Sequence, residues 1–396
     1  MRTPLLVLAA ILVLPCRAAP ADPGPTGNRL VEPGSPGLSG IFLLGEDDYY
    51  THAAKMDAAP AIVHLFSDWI GELSGARPGA TRVAVDPIEP EAYEFLDLIL
   101  EPGTIVAITW AMPLPNYDVP GNAYDAIPNV QDILDGRYDD HIRDFARAIG
   151  RIDAPVMVTL FGEVDNNAFY SFGPKGRNSA YPDPDIPREL DVPVARDLYG
   201  HYGDPGHPDG PERVRDAFIR VVELFEAEGV REPSWFMYGS SGFMSATPRD
   251  GEEQLVEATG EWNEPRWYYP GDRYIEWVGK SLHHDDFESL RDSFEPAYEA
   301  WGEVTLRPFF SPEYSLSMRR SSRAAQIRRE FGSYLTRFPR FKAFAIADPD
   351  PVTGMDEFGL MTLGGVSGEF PDEIDAWIEA VRDNPHWKTL PYTLLD

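Results

Sequence analysis

The sequence predicts a (β/α)8 barrel with long loops at the C-terminal ends of its strands. Three observations predict it. Short apolar runs of strand length alternate with amphipathic helical stretches, the pattern of a parallel sheet covered on both faces. The strand runs number eight, enough to close a barrel. Two of them, Val156 to Phe161 and Arg307 to Ser311, lead straight into a glutamate, Glu163 and Glu313, at the end where barrel enzymes carry their chemistry. A doubly wound open sheet is the structural rival. It would set both glutamates along one edge without bringing them together.

The elements follow in order. Gly40 to Leu44 reads as the first strand, and Ala61 to Phe66 as the second, with Asp68 and Trp69 just past its end. Glu89 to Leu100 reads as a helix, Thr104 to Trp110 as the third strand, and about Val130 to Ile149 as a helix with Ile142, Phe145, Ala146 and Ile149 on one face. The fourth strand ends at Glu163. Val164 to Gly210 is irregular and rich in Pro, Gly, Asp and aromatic residues, and a connection so long suits the wall of a cleft. Pro211 to Gly229 reads as a helix, with proline in its first turn and glycine near its stop. Ser234 to Tyr238 is the fifth strand, Trp277 to Leu282 the sixth, and Phe287 to Trp301 a helix before the seventh. Ser321 to Phe338 is helical, Phe341 to Ala347 the eighth strand, and Pro371 to Asp383 a closing helix. Residues 40–396 therefore read as one barrel domain.

Two strand-terminal carboxyl groups that converge on one bond are what glycoside hydrolysis needs. One protonates the leaving oxygen; the other attacks, or activates water. Flat apolar side chains beside polar groups bind sugars. Trp110, Phe169, Tyr170, Trp262, Trp267 and Tyr268 are candidates because they stand at strand ends or in loops, whereas Trp235 and Trp277, inside strands, read as core. His64, also inside a strand, reads equally as a core histidine or a ligand contact. His283-His284-Asp285-Asp286 is a weak metal motif because adjacent residues rarely converge on one ion, and His201, Asp204, His207 and Asp209 read as solvated loop polarity. Gly239-Ser240-Ser241-Gly242 lacks the serine-hydrolase elbow spacing. With no phosphate-cradling or dinucleotide motif, the sequence implies no cofactor and no metal.

The chain of 396 residues carries a net charge of −31, which repels the phosphates of a nucleic acid and keeps the surface hydrated. Residues 1–21 read as a signal peptide: Arg2, then an apolar run from Leu5 to Leu14 too short to span a bilayer, then Ala19-Pro20-Ala21 as a small-residue cleavage site. Secretion or periplasmic export follows, without a membrane span. The lone cysteine, Cys16, lies in that segment, and Pro15 before it matches a lipidation site poorly. Residues 22–39 read as a flexible lead-in. A monomer is expected.

The chain resembles glycoside hydrolase family 26, barrels that include β-mannanases, from about Gly40 to the C-terminus. Ala61 to Trp69 looks like the family's second strand, Ile108-Thr109-Trp110 like the end of its third, and Asp132 to Asp139 like its pattern before the third helix. Tyr268 to Gly279 is the most specific match, resembling the approach to strand six. The resemblance implies a retaining two-glutamate hydrolase of a β-linked polysaccharide (a mannan, or a related glucan or xylan), with Glu163 as general acid/base and Glu313 as nucleophile. It implies a substrate-binding set of Trp110, Asn166, Phe169, Tyr170, Phe172, Trp267, His283 and Tyr314.

The sequence departs from the family around both glutamates. Where the family has His-Glu-Met-Asn-Gly, Gly162 replaces the histidine and Val164 to Ala168 the following residues. His283 stands where the family has a tyrosine that contacts the nucleophile, and Ala345-Ile346-Ala347-Asp348 supplies no aromatic at the end of strand eight. These departures motivate the alternative of a carbohydrate-binding barrel that has lost its activity. A third reading, a metal hydrolase built on the histidine pair, requires chelator-sensitive activity.

Overall fold

The structure is a computed structural model that describes residues 35–42, 52–68, 101–111, 133–165, 210–231, 233–239, 265–284, 286–316, 320–347 and 371–391. A closed barrel of parallel strands forms its centre. The staves are β1 (Gly37–Phe42), β2 (Ile62–Asp68), β3 (Ile105–Ala111), β4 (Val156–Leu160), β5 (Ser234–Gly239), the split stave β6 (Trp277–Lys280) and β7 (Leu282–His283), β8 (Phe309–Ser315) and β9 (Phe341–Ala347). Each pairs in parallel with the next, and β9 returns to β1 with Gly40 opposite Ala345, which closes the ring. The open-sheet rival is thereby excluded.

Helices cover the outside: α1 (Asp139–Ile149), α2 (Gly210–Ala227), the single turn α3 (Pro265–Tyr268), α4 (Phe287–Val304), α5 (Arg320–Arg329) and α6 (Pro371–Trp377). Strand alternation sorts the core into two layers. Inside the barrel, the His64, Phe236 and Phe310 rings meet edge-on or tilted, with centroids 6.3 Å, 6.3 Å and 5.4 Å apart pairwise. Outside, Trp235 packs on Phe218 and Phe225 of α2, and Phe309 and Phe341 pack on Phe294 of α4. Trp235 and Trp277 are each 2% exposed, the core positions that the sequence implied.

Several boundaries differ from the sequence reading. The first strand begins at Gly37, inside the expected lead-in, because a short strand β10 (Trp387–Lys388) pairs with Gly37 and Leu38 and extends it. The helix expected from residue 130 begins at Asp139: Gly136 takes a left-handed conformation (φ 77°) that ends any earlier turn. Arg220 of α2 then grips the Asp139 carboxylate with two donors. The sixth strand breaks at Ser281, whose N–H donates to the Gly239 carbonyl (2.8 Å). The last two helices each widen into a π turn, at Glu330–Tyr334 and Ile378–Arg382. The expected signal segment, Cys16, Leu43, Leu44, the helix at 89–100, the connection 166–209, Asp285 and Asp348 lie outside the described residues. No helix among the described residues is long and apolar enough to cross a membrane.

The π turn starts at a buried carboxylate. Glu330 is 0% exposed and accepts from the Tyr314 hydroxyl (2.5 Å) and from His284 Nε2 (3.1 Å), tying α5 to β7 and β8. Burial, together with the Glu330 charge, pushes the Tyr314 hydroxyl well above its ordinary range and keeps it a donor. Removing the acceptor strands two buried polar groups. Glu330→Ala is expected to lower unfolding stability by about 3–5 kcal/mol in urea, the cost typical of breaking a buried charged pair. Unchanged stability would mean that the three groups do not act together.

Candidate active site

Glu163 and Glu313 enter the same space from opposite sides of the barrel mouth. Glu313 lies on β8, with its side chain 16% exposed. Glu163 follows β4 and is 8% exposed. The chain bends sharply to put it there: Phe161 and Glu163 both hold positive φ, 63° and 45°, conformations that cost non-glycine residues energy and concentrate at functional sites. Three contacts hold the bend. The Phe161 N–H donates to the Trp110 carbonyl (3.1 Å), the Thr159 hydroxyl to the Phe161 carbonyl (3.3 Å), and the Val164 N–H to the Tyr238 carbonyl (3.1 Å). Carboxylate oxygens of Glu163 and Glu313 and a ring nitrogen of His283 all come within 4.8 Å of one another.

Tyr238, on β5, is the group that the sequence reading missed. Its hydroxyl donates to Glu313 Oε1 (2.8 Å) and lies 3.3 Å from the Thr109 hydroxyl. Thr109 in turn sits 2.8 Å from His64 Nε2, while His64 Nδ1 is 2.8 Å from the Pro312 carbonyl. A carbonyl only accepts, so Nδ1 carries the His64 proton. Burial pulls the His64 pKa down to about 4, against the opposing effects of Glu313 and the Pro312 carbonyl, and the ring is neutral. Its Nε2 is then an acceptor and takes the Thr109 proton. Tyr238 has one proton to give, and it goes to the nearer acceptor, the Glu313 carboxylate at 2.8 Å, rather than to the Thr109 oxygen at 3.3 Å. Thr109 and His64 donate the other way, toward the Pro312 carbonyl.

His283 completes the setting of Glu313. Its Nε2 lies 3.6 Å from Glu313 Oε2, and its Nδ1 lies 2.9 Å from the Ser315 hydroxyl. Burial alone would raise the Glu313 pKa. His283, by hydrogen bond and charge, and the Tyr238 hydroxyl outweigh burial and hold the carboxyl below its ordinary range. Lys280, at the end of β6, adds a cation. Burial pulls its ammonium below the ordinary lysine range, while Asp165 and Glu163 nearby pull it back up.

Two glycines make this arrangement possible. A Cβ on Gly162 would lie 2.6 Å from the Tyr238 hydroxyl oxygen and 3.1 Å from Thr109 Cγ2. A Cβ on Gly239 would lie 2.7 Å from Asp165 Oδ2. At each strand end the missing side chain is space that a polar group fills.

Four expected sugar contacts lie elsewhere. Trp110 is 0% exposed and stacks flat on Phe145 of α1 (3.8 Å, 1°), because Thr109 takes the inward position and alternation turns Trp110 outward. Tyr314 faces outward to Glu330 although inward Phe310 lies four residues before it, because an irregularity of β8 between Ser311 and Tyr314 reverses the alternation and turns Glu313 in. Trp267 lies on α3 in the helical layer, packed against the core, with Arg266 over its ring (4.5 Å). Tyr268 is 1% exposed and equally core. His283 and His284 diverge, the first to Glu313 and the second to Glu330, so the pair cannot grip one ion. Asn166, Phe169, Tyr170, Phe172, Trp262, the histidines of the 201–209 loop and Ser240 to Gly242 lie outside the described residues.

No protein-family model matches the chain, and no curated protein matches it in sequence. Solved structures do match in shape. A β-mannanase of glycoside hydrolase family 26 from Bacteroides ovatus superposes with a TM-score of 0.52 at 11% identity, over 91% of this chain and 92% of that one. A modular endo-β-1,4-mannanase from Cellulomonas fimi superposes with a TM-score of 0.51 at 11% identity, over 89% of this chain and 72% of that one. The Podospora anserina β-(1,4)-mannanase with a CBM35 matches with a TM-score of 0.45 at 13% identity, over 90% of this chain and 63% of that one. The first two share with this chain the fold, a (β/α)8 barrel that resembles those of family 26.

Trp110→Ala separates the two roles of that residue. Emptying a buried aromatic site is expected to cost about 3–5 kcal/mol of unfolding stability. A variant as stable as the unaltered chain but weaker in sugar binding would return Trp110 to the cleft.

Proposed function

We propose that this chain is an exported retaining glycoside hydrolase that cleaves a β-linked polysaccharide, a mannan or a related glucan or xylan. The observation that carries the reading is the approach of two carboxylates, with oxygens within 4.8 Å, at the C-terminal mouth of the barrel. A retaining pair stands about 5–5.5 Å apart, so that the second carboxylate can attack the sugar directly; an inverting pair needs about 6.5–9.5 Å to admit water. The shape shared with mannanases supports the substrate class, and the apolar start of the sequence, ending in Ala19-Pro20-Ala21, supports export.

In this reading Glu313 is the nucleophile. Donors from Tyr238 and His283 hold it ionised and ready to attack the anomeric carbon. Glu163, poorly exposed and facing another carboxylate, delivers its proton to the glycosidic oxygen as the bond to Glu313 forms. It then takes a proton from the water that releases the sugar from Glu313. With Trp110 and Tyr314 turned outward and Trp267 packed in the helical layer, sugar stacking falls to the aromatics that follow Glu163, namely Phe169, Tyr170 and Phe172, with Asn166 as a polar contact. The alternative, a sugar-binding barrel without turnover, rests on the altered neighbours of Glu163, and binding without turnover on every glycan would favour it.

Reducing-sugar release from mannan, glucan and xylan tests the mechanism. Glu163→Gln is expected to lower kcat by about 10²–10⁴, the range of a general acid–base contribution. Glu313→Gln is expected to abolish turnover, and near-normal rates in either variant would remove that residue from the mechanism. The pH profile tests the donor set. An ionised Glu313 is needed above its pKa, so the acidic limb of kcat/KM lies below the ordinary carboxylate range, and activity falls as pH drops through it. Tyr238→Phe removes one donor and is expected to move that limb upward by about one pH unit, since a hydrogen bond to a charge contributes about 1.5–3 kcal/mol and one unit is about 1.4. An unmoved limb would mean that Glu313 does not set it.

A further inference from the structure

We propose that Glu163, His283 and Glu313 form a site for a divalent cation of the zinc type, in the position where the reacting sugar would sit. The donor set is one imidazole nitrogen and two carboxylate oxygens, all within 4.8 Å of one another. Zinc binds such atoms at about 2.0–2.2 Å, so two ligand atoms on one tetrahedral ion stand about 3.4 Å apart. His283 Nε2 and Glu313 Oε2, at 3.6 Å, already have this spacing. Glu163 has to close by about an ångström, within the swing of a glutamate side chain. Three protein ligands would leave a position open for water, the arrangement of an accessible rather than a sealed zinc site.

The surroundings hold these ligands in a binding posture. A metal-binding histidine is oriented by a partner on its other ring nitrogen, and a metal-binding carboxylate by hydrogen bonds of its own. Ser315 stands at His283 Nδ1 (2.9 Å), leaving Nε2 turned to the cleft, and Tyr238 occupies Glu313 Oε1 (2.8 Å), leaving Oε2 turned to His283. The imidazole decides the choice of ion. Two carboxylates alone would suit calcium or magnesium; a nitrogen ligand shifts preference to zinc, copper or nickel. Lys280 opposes any cation here, because its charge acts on Asp165 and Glu163. Cation and glycan cannot share the space, so if the two glutamates do the hydrolysis proposed above, zinc blocks it and a chelator restores it. That consequence rests on the hydrolase reading; the binding itself does not.

Calorimetric titration of the purified chain with zinc chloride, without sugar, tests the site. One zinc ion per chain is expected, with calcium at least tenfold weaker. His283→Gln should weaken zinc by tenfold or more while keeping the circular dichroism of the unaltered chain. Ser315→Ala should weaken it by about tenfold, as loss of an orienting partner does. Lys280→Met should tighten it severalfold, a change of the opposite sign that damage to the fold would not produce. Zinc should also raise the Tm of the unaltered chain but not of His283→Gln, since only a ligand bound to the folded state stabilises it. Equal zinc affinity in His283→Gln, equal affinity for calcium, or no tightening in Lys280→Met overturns the proposal. These readouts involve no turnover, so the cation site can fail while hydrolysis stands, and stand where no polysaccharide is cleaved.

Discussion

The mouth of the barrel depends on one hydrogen bond, from the Tyr238 hydroxyl on β5 to Glu313 on β8. The bond crosses the interior of the barrel, so every residue beneath and beside it must leave its path open. Gly162 does so by having no side chain; a Cβ there would press on the Tyr238 oxygen. The strained bend from Phe161 to Glu163 follows, because the chain passes close over that oxygen and then turns Glu163 toward Glu313. Beneath the bond, Thr109 gives its proton to neutral His64, and Tyr238 gives its own to the nearer carboxylate. The strain and the buried polar chain are costs that the packed barrel absorbs, and their result is a carboxylate kept ionised in a poorly exposed place.

A second constraint is the two-residue period of the strands, which gives neighbours in sequence opposite work. His283 and Glu313 face the cleft, while His284 and Tyr314 face the helices and share Glu330. The outer triad therefore fixes the same stretches of β7 and β8 that carry the inner pair. Thr109 and Trp110 divide in the same way, one into the polar network and one onto Phe145. A change on the outer face of β7 or β8 is felt at the cleft through one shared backbone.

The barrel was legible in the sequence because its evidence is periodic: apolar runs of strand length, helices with one apolar face, and an order that repeats. The two glutamates stood out because a charge that ends a buried apolar run is unusual. Trp110 and Tyr314 stand away from the cleft because closeness to a strand end does not fix the face on which a side chain lies, and Trp267 and Tyr268 because the loop expected there is the helical turn α3. Inward Thr109 and Glu313 are the signal that could have corrected two of them, since a neighbour of an inward residue points out. Tyr238 was missed for the converse reason. It closes an apolar run, Trp235-Phe236-Met237-Tyr238, and only its distance to a residue 75 positions away shows it to be polar in use. Lys280 carries no local pattern at all; its relation to Asp165 and Glu163 exists only in the closed ring.

The departures from the family pattern look different once they are seen together. Taken singly, a glycine for a histidine, a histidine for a tyrosine and a missing aromatic suggest a site in decay. In space the first two compensate. Gly162 gives up volume, and the Tyr238 hydroxyl uses it. His283 stands where the family has its tyrosine, yet Glu313 still meets a tyrosine hydroxyl, now from β5, and gains an imidazole. What a nucleophilic carboxylate requires is a set of donors strong enough to overcome its burial, and it does not matter which strands supply them. A barrel that merely held sugar would gain nothing from a carboxylate kept below its ordinary pKa and faced by a second one within 4.8 Å. Two acids held so close repel one another, and only a proton, a cation or a reacting centre between them relieves the repulsion. The same electrostatic demand thus underlies both proposals for this site: a glycosidic carbon that develops positive charge satisfies it during turnover, and a zinc ion satisfies it at rest.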